Sequence, residues 1–418
     1  MRRFSAIALI LALTSSASMA CTRTTALAQT VRVPQDSPTI QTAVNKVGAG
    51  GVVLVSPGTY RESILIDRDK VTVRGVDRNA VIIDGEYTRQ NGFTVAADGV
   101  SIENLTIRGF NGNGIFFNGA YSPDGVDPTK NYGQGNDVLK GYRASYVTTY
   151  NNGLYGIYAF AARGGQIDHS YASGHPDSGF YVGQCKPCNA VLTDLIAERN
   201  AIGYFGTNAS GGVYVINSVF RGNRIGITPN SQKMERLAPQ SETVVAGNLI
   251  VDNDDPLTPA HPQGAFGEGI VVGGGTKNLV TKNRVSGNPA AGILIIDLDG
   301  YRPENNRVDG NILTSNGVDL YYSATDGKTL GNCFVGNTFA SSSPTNIDES
   351  MGCASTPVSV SAQAFRPISA PKGISYKAVP PPAPQPNMPD AATAPATPPL
   401  TDVAPKVDLS SIVVPSAA

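Results

Sequence analysis

Three polar side chains stand four residues ahead of glycines that recur at a nearly constant period: Asn152 before Gly156, His175 before Gly179 and Arg199 before Gly203. A fourth, Asp177, precedes Gly179 by two. An imidazole, a carboxylate and a guanidinium on neighbouring turns can move a proton and neutralise an anion, so His175 is a candidate acid/base, Asp177 its orienter and Arg199 a carboxylate or oxyanion partner. Asn152 would add a hydrogen bond to a ligand. The plain alternative is four solvated turn residues.

The elements that must position these groups follow each glycine. Gly156-Ile157-Tyr158-Ala159, Gly179-Phe180-Tyr181-Val182, Gly203-Tyr204-Phe205-Gly206 and Gly226-Ile227-Thr228-Pro229 lie 23, 24 and 23 residues apart. Gly114, Gly269 and Gly292 open similar runs. A second apolar run sits in each unit, and nothing between has the length or period of a helix. Repeated all-strand units too short to bury a face alone point to an all-β, single-stranded parallel β-helix solenoid. Asn248, Asn283, Asn311 and Asn337 each precede an apolar pair and suit a coil-to-coil amide stack, or else are ordinary turn residues.

Strand alternation sends the residue after each glycine inward and the next outward. The outward column then reads Phe116, Tyr158, Tyr181, Phe205, Thr228, Val271, Leu294, Tyr321. Aromatics spaced by about 4.8 Å could stack sugar rings of a polysaccharide, which makes Phe116, Tyr158, Tyr181 and Phe205 candidate substrate contacts. Alternatively, loops or the C-terminal tail cover the strip. Insertions at 118–142 and 230–242 leave the ends of the first and fifth outward strands, where they could wall a groove.

With a net charge of −1, 16% charged residues and no basic run, the 418-residue chain has no features of a nucleic-acid binder. Residues 1–20 read as a secretory signal: Arg2 and Arg3, an apolar run, then small residues. Cleavage before Cys21 would make that cysteine a lipid anchor; Ala26-Leu27-Ala28 offers an ordinary site instead. No later run is long enough to span a bilayer. The expected location is secreted or on a bacterial cell envelope, as a monomer. After Cys21 the cysteines are Cys185, Cys188, Cys333 and Cys353, and pairing of near neighbours gives Cys185–Cys188 and Cys333–Cys353. Cys185-Lys186-Pro187-Cys188 also has the spacing of a redox or metal motif, without the context for either.

Residues 37–47 read as a helix with Ser37 as N-cap and Pro38 in its first turn, capping the open end of the first coil. A 21–30 linker precedes the β-helix of 31–353. From 354 to 418 the Pro/Ala-rich composition predicts a disordered tail, acting as a tether. Its last apolar stretch, around Ile412, could dock back or meet a partner.

Thr39-Ile40-Gln41-Thr42-Ala43-Val44, then Val52-Val53-Leu54-Val55-Ser56-Pro57-Gly58-Thr59-Tyr60-Arg61-Glu62, then Val71-Thr72-Val73-Arg74-Gly75 resemble the amino-terminal coils of the pectin-lyase-like superfamily, particularly NosD-like periplasmic proteins and pectin methylesterases. The resemblance implies a right-handed helix and is specific for fold, since this fold carries lyases, hydrolases, epimerases, esterases and non-catalytic binders. His175-Pro176-Asp177-Ser178 is loosely similar to the Asp-Pro-His segment of alginate epimerases, in reversed order. Polygalacturonase and esterase signatures have no counterpart in order. Asp297-Leu298-Asp299-Gly300 resembles the start of a calcium loop without its remaining ligands, which gives calcium weak support as a cofactor. Met234, Met351, Met388, His169, His175 and His261 form no copper-like cluster. Two functions stay open: binding or modifying a polysaccharide, or a non-catalytic envelope scaffold for a protein partner.

Overall fold

The computed structural model describes residues 29–417 except 124, 128, 136, 355–359, 362 and 397–401; the signal segment and Cys21 lie outside them. Strands between Thr30–Val33 and Ser342–Ser343 wind into coils whose three sides form three long parallel sheets. The first has 12 strands, the second 10 and the third 11. Each coil contributes one strand to each, as in Val52–Val55, Gly58–Tyr60 and Ile64–Ile66. The turns are tight enough that many residues, Asn151, His169, Arg199 and Asn217 among them, adopt left-handed backbone.

Inward positions of the third sheet are sealed: Ile157, Phe180, Tyr204, Ile227, Ile270 and Ile293 are all fully buried. The outward column has the expected register, with Phe116 paired to Tyr158, Tyr158 to Tyr181, and Tyr181 to Phe205. Asparagines tie the turns. Asn248 donates its side-chain amide to Asn283, Asn283 to Asn311 and Asn311 to Asn337, at 3.0, 2.9 and 2.9 Å. Each Oδ1 also accepts the backbone N–H of the preceding rung, so a buried polar turn is satisfied at every step.

The capping helix is shorter than the sequence suggests, Ile40–Lys46, and its N-cap is Thr39 rather than Ser37. Thr39 and Thr42 form a reciprocal capping box. Glu62 of the first coil accepts from the N–H groups of Ile40 and Gln41, where the helix dipole favours a carboxylate, and this leaves no role for Ser37. Ile40, Ala43 and Val44 close the apolar end. At the other end Ile347–Ser350 forms a one-turn helix, and disulfides join Cys185 to Cys188 and Cys333 to Cys353. No helix among the described residues is long and apolar enough to cross a membrane.

The disordered tail is a correction. Residues 363–396 and 402–417 lie along the solenoid as a strap with little secondary structure of its own. Composition correctly denies the segment a core of its own; what it misses is that the solenoid offers partners. Prolines lack N–H donors but keep their carbonyls, and guanidinium groups meet them. Arg74 donates to Ala394 and Pro395, Arg78 to Pro386, and Arg224 to Pro371. Ile412 enters an apolar groove beside Ile216 and Ala246.

Candidate functional site

His175, Asn152 and Arg199 do not come together as an open site. His175 and Asn152 are wholly buried and belong to a second amide ladder. Nδ1 of His175 lies 2.7 Å from Asn200 Oδ1, and Nε2 lies 3.3 Å from Asn152 Nδ2. The ladder continues through Asn223, Asn253, Asn288 and Asn316. A neutral imidazole protonated at Nδ1 has one donor and one acceptor, so it replaces an amide rung. Burial pushes its pKa down to about 4, against a smaller opposing pull from Asn200. Those contacts remove His175 from acid/base chemistry and Asn152 from ligand binding. Arg199 misses the ladder by one position: the rungs His175 and Asn200 are 25 residues apart while the glycines after them are 24 apart, so the turn from rung to strand is one residue shorter in this coil. Arg199 instead lies near Glu198 and Tyr171 of the second sheet.

We expect His175→Asn to unfold in urea within about 1 kcal/mol of the parent, whereas His175→Ala, which orphans two buried amide groups, should cost about 2–3 kcal/mol.

Asp177 does sit at a polar cluster, on the outer face of the third sheet. Tyr155 and Tyr158 stack there with centroids 4.2 Å apart and planes within 7°, and Tyr181 meets Tyr158 edge-on at 4.7 Å. Glu235 enters from the 230–242 insertion, accepting from Tyr181 Oη at 3.3 Å and from Gln184 Nε2. Asn208 holds that loop by donating to the carbonyls of Gln232, Glu235 and Arg236. His261 arrives on a third insertion, its Nε2 3.7 Å from Asp177 Oδ2 and its ring edge-on to Phe205.

Desolvation governs the charges. Burial raises the Glu235 carboxyl to about 7; the charge of Asp177 adds to this, while Tyr181 and Gln184 oppose it. The phenols of Tyr155, Tyr158 and Tyr181 are pushed well above their ordinary value, by burial first and then by neighbouring carboxylates. A carboxyl balanced near neutrality among protonated phenols can donate or accept a proton without further reorganisation. Among the described residues no cluster of His, Cys, Asp and Glu could hold a metal ion.

The aromatic column is largely roofed. Phe116, Tyr181 and Phe205 are 8%, 1% and 6% exposed, and Tyr158 is half-buried. Tyr132 from the first insertion packs on Phe160, and Arg236 lies over Tyr132 while donating to Lys130 O, which locks two insertions together. At the C-terminal end Phe365 of the strap covers Tyr321. Tyr181 and Phe205 therefore have no free ring face for a sugar, a correction that follows from the insertions closing over the strip. Sequence reasoning marks the 230–242 insertion but not Glu235, and leaves out Tyr155, Gln184 and His261; an acidic residue inside a marked insertion was the available signal.

A family model described as "Right handed beta helix region" matches residues 133–311. No curated protein sequence matches the chain. Solved structures that resemble it include the A-module of a mannuronan C-5 epimerase from Azotobacter vinelandii, 16% identical, covering 72% of this chain and 91% of that one with a TM-score of 0.47. An alginate lyase from Paenibacillus sp. is 15% identical over 75% and 97% at 0.44, and a pectin methylesterase from Erwinia chrysanthemi 14% over 70% and 91% at 0.35. Identities this low say nothing about substrate. The three sheets and the match over residues 133–311 together make the solenoid a right-handed parallel β-helix.

Proposed function

We propose that this is an exported protein that binds and modifies a polysaccharide on the outer face of the third sheet, with Glu235 moving the proton. The observation that carries this reading is Glu235 itself: a carboxyl raised to about 7, on an insertion held over Tyr158 and Tyr181 and close enough to Asp177 to feel its charge. Tyr155 and Tyr158, half-buried, supply the partly open aromatic surface at the mouth. His261 beside Asp177 is a second titratable group within the cluster. Two disulfides suit an oxidising compartment, in keeping with export. The role of calcium, lipidation at Cys21 and a monomeric state belong to this reading as expectations carried from the sequence.

The roofing of Tyr181 and Phe205 favours a second reading, a non-catalytic scaffold whose covered strip is structural. Incubating the purified mature chain with neutral and uronate polysaccharides, with and without calcium, separates the two. New reducing or unsaturated ends, or epimerised residues detected by NMR, support the enzyme; retention in affinity gels without product supports binding alone. Neither signal on any glycan removes the carbohydrate reading.

A further inference from the structure

Beyond the roofed stretch, the outward column of the third sheet runs on toward the N-terminal cap and opens. Leu65, Thr94 and Phe116 occupy successive coils in register, and a groove of about 590 Å³ lies over them. Its walls are amides: Gln90, Asn91, Asn113 and Asn118, with the 121–123 segment of the first insertion on one side. No lining residue carries a charge at neutral pH. The neighbouring ionic groups lie outside this lining. Arg61 and Arg89 pair with Glu86 at 2.9 and 2.8 Å, and Glu62 caps the helix.

One amide there is incompletely satisfied. Asn113 is 6% exposed and donates to Asn91 Oδ1 at 3.0 Å, yet its own Oδ1 has no partner among the described residues. An orphaned acceptor so deeply buried is costly unless a ligand or water supplies a donor. Phe116 stacks directly on Tyr158 at 4.7 Å, so the end of the groove lies one coil from the Glu235 cluster. Two coils, about 10 Å at the spacing of parallel strands, separate Thr94 from Tyr158.

From this we infer that the groove over Leu65, Thr94 and Phe116 is a subsite for uncharged sugar rings of a polysaccharide whose chain runs on toward Glu235. The exposed Gln90 amide and the unpartnered Asn113 Oδ1 offer a donor and acceptors to ring hydroxyls, while Leu65 and the edge of Phe116 give an apolar contact to the C–H face of a ring. A uronate would bring a carboxylate against a lining of amides and hydroxyls that holds no cation, and would lose its hydration without return. The inference rests on the polysaccharide reading of the third sheet but not on proton transfer by Glu235.

The test titrates neutral oligosaccharides (cello-, manno- and xylo-oligomers) and oligouronates into the full mature chain by calorimetry at 50 and 500 mM salt. At least one neutral series should bind, with an affinity that changes less than twofold with salt, and bind more than tenfold tighter than any uronate. Thr94→Arg, which fills the floor, should weaken that binding at least tenfold; Gln90→Ala, at an exposed position that does not threaten the fold, should weaken it severalfold. Glu235→Gln should bind as the parent does. Preferential, salt-sensitive uronate binding overturns the inference, as does neutral binding unchanged in both groove variants. Product formation is scored separately, so groove variants that still turn over a glycan normally would sink the subsite and leave the catalytic reading intact. Groove-dependent binding with no product would do the reverse.

Discussion

Glu235→Gln should reduce turnover on any glycan the protein modifies by about 10²–10⁴-fold, the usual contribution of a positioned acid or base. The substitution keeps the side chain's shape and leaves an oxygen for the Tyr181 hydroxyl, so binding should change little and the loss should fall on kcat. The pH profile of kcat/KM should break near 7, where burial places this carboxyl, and the break should vanish in the variant. Stability gives an independent readout. The folded-state pKa is raised from an ordinary 4.5 to about 7, so the folded chain binds the proton more tightly than the unfolded one. That contribution is full below about 4.5 and is lost as pH climbs through 7. Glu268, buried on the same sheet and also pushed up to about 7, has the same sign. The parent should therefore lose stability between pH 5 and 8, and Glu235→Gln should lose less. A variant with full turnover, or a pH–stability curve identical to the parent's, would remove Glu235 from the mechanism.

The fold was legible in the sequence because a solenoid writes its period into the chain. The glycine spacing, the inward and outward alternation, the 248–283–311–337 ladder and both cysteine pairs all appear in the structure, since each depends on local geometry repeated coil by coil. The site was legible only where periodicity reaches. Counting back from glycines found the ladder positions Asn152 and His175, but a regular polar position in a stacked turn is more valuable to the fold than to a ligand. Their burial follows from that regularity. In the next coil the turn between rung and glycine is one residue shorter, so the same count back from Gly203 lands on Arg199 and misses the rung at Asn200. Glu235 and His261 come from insertions, whose paths are set by loop-to-loop contacts such as Arg236 over Tyr132, and these leave no period to read.

The strap was misread for a related reason, and its removal has the other large expected effect. A chain ending at residue 365 should unfold at least about 5 kcal/mol more easily, on the scale of 1.5–3 kcal/mol for each hydrogen bond to a charged group. Arg74, Arg78 and Arg224 are each 1% exposed. Glu103 pairs with Arg74 at 2.7 Å, but Arg78 has no carboxylate partner among the described residues and relies on carbonyls of Val147, His169 and Pro386 with the Thr148 hydroxyl. Burial pushes its pKa down to about 10, still charged at neutral pH. The strap's carbonyls thus complete the solvation of cations that the solenoid alone leaves short of acceptors. Arg78→Met, which keeps an unbranched side chain of similar length and removes the charge, should recover part of the truncated chain's loss while destabilising the full-length chain; that reversal of sign is the signature of a strap that solvates buried charge. Limited proteolysis offers a simpler check, since a docked strap should resist cleavage under native conditions at rates comparable to the solenoid. Trimming to a product ending near residue 353 within minutes, or a truncated chain as stable as the parent, would show that the strap contributes nothing to the fold.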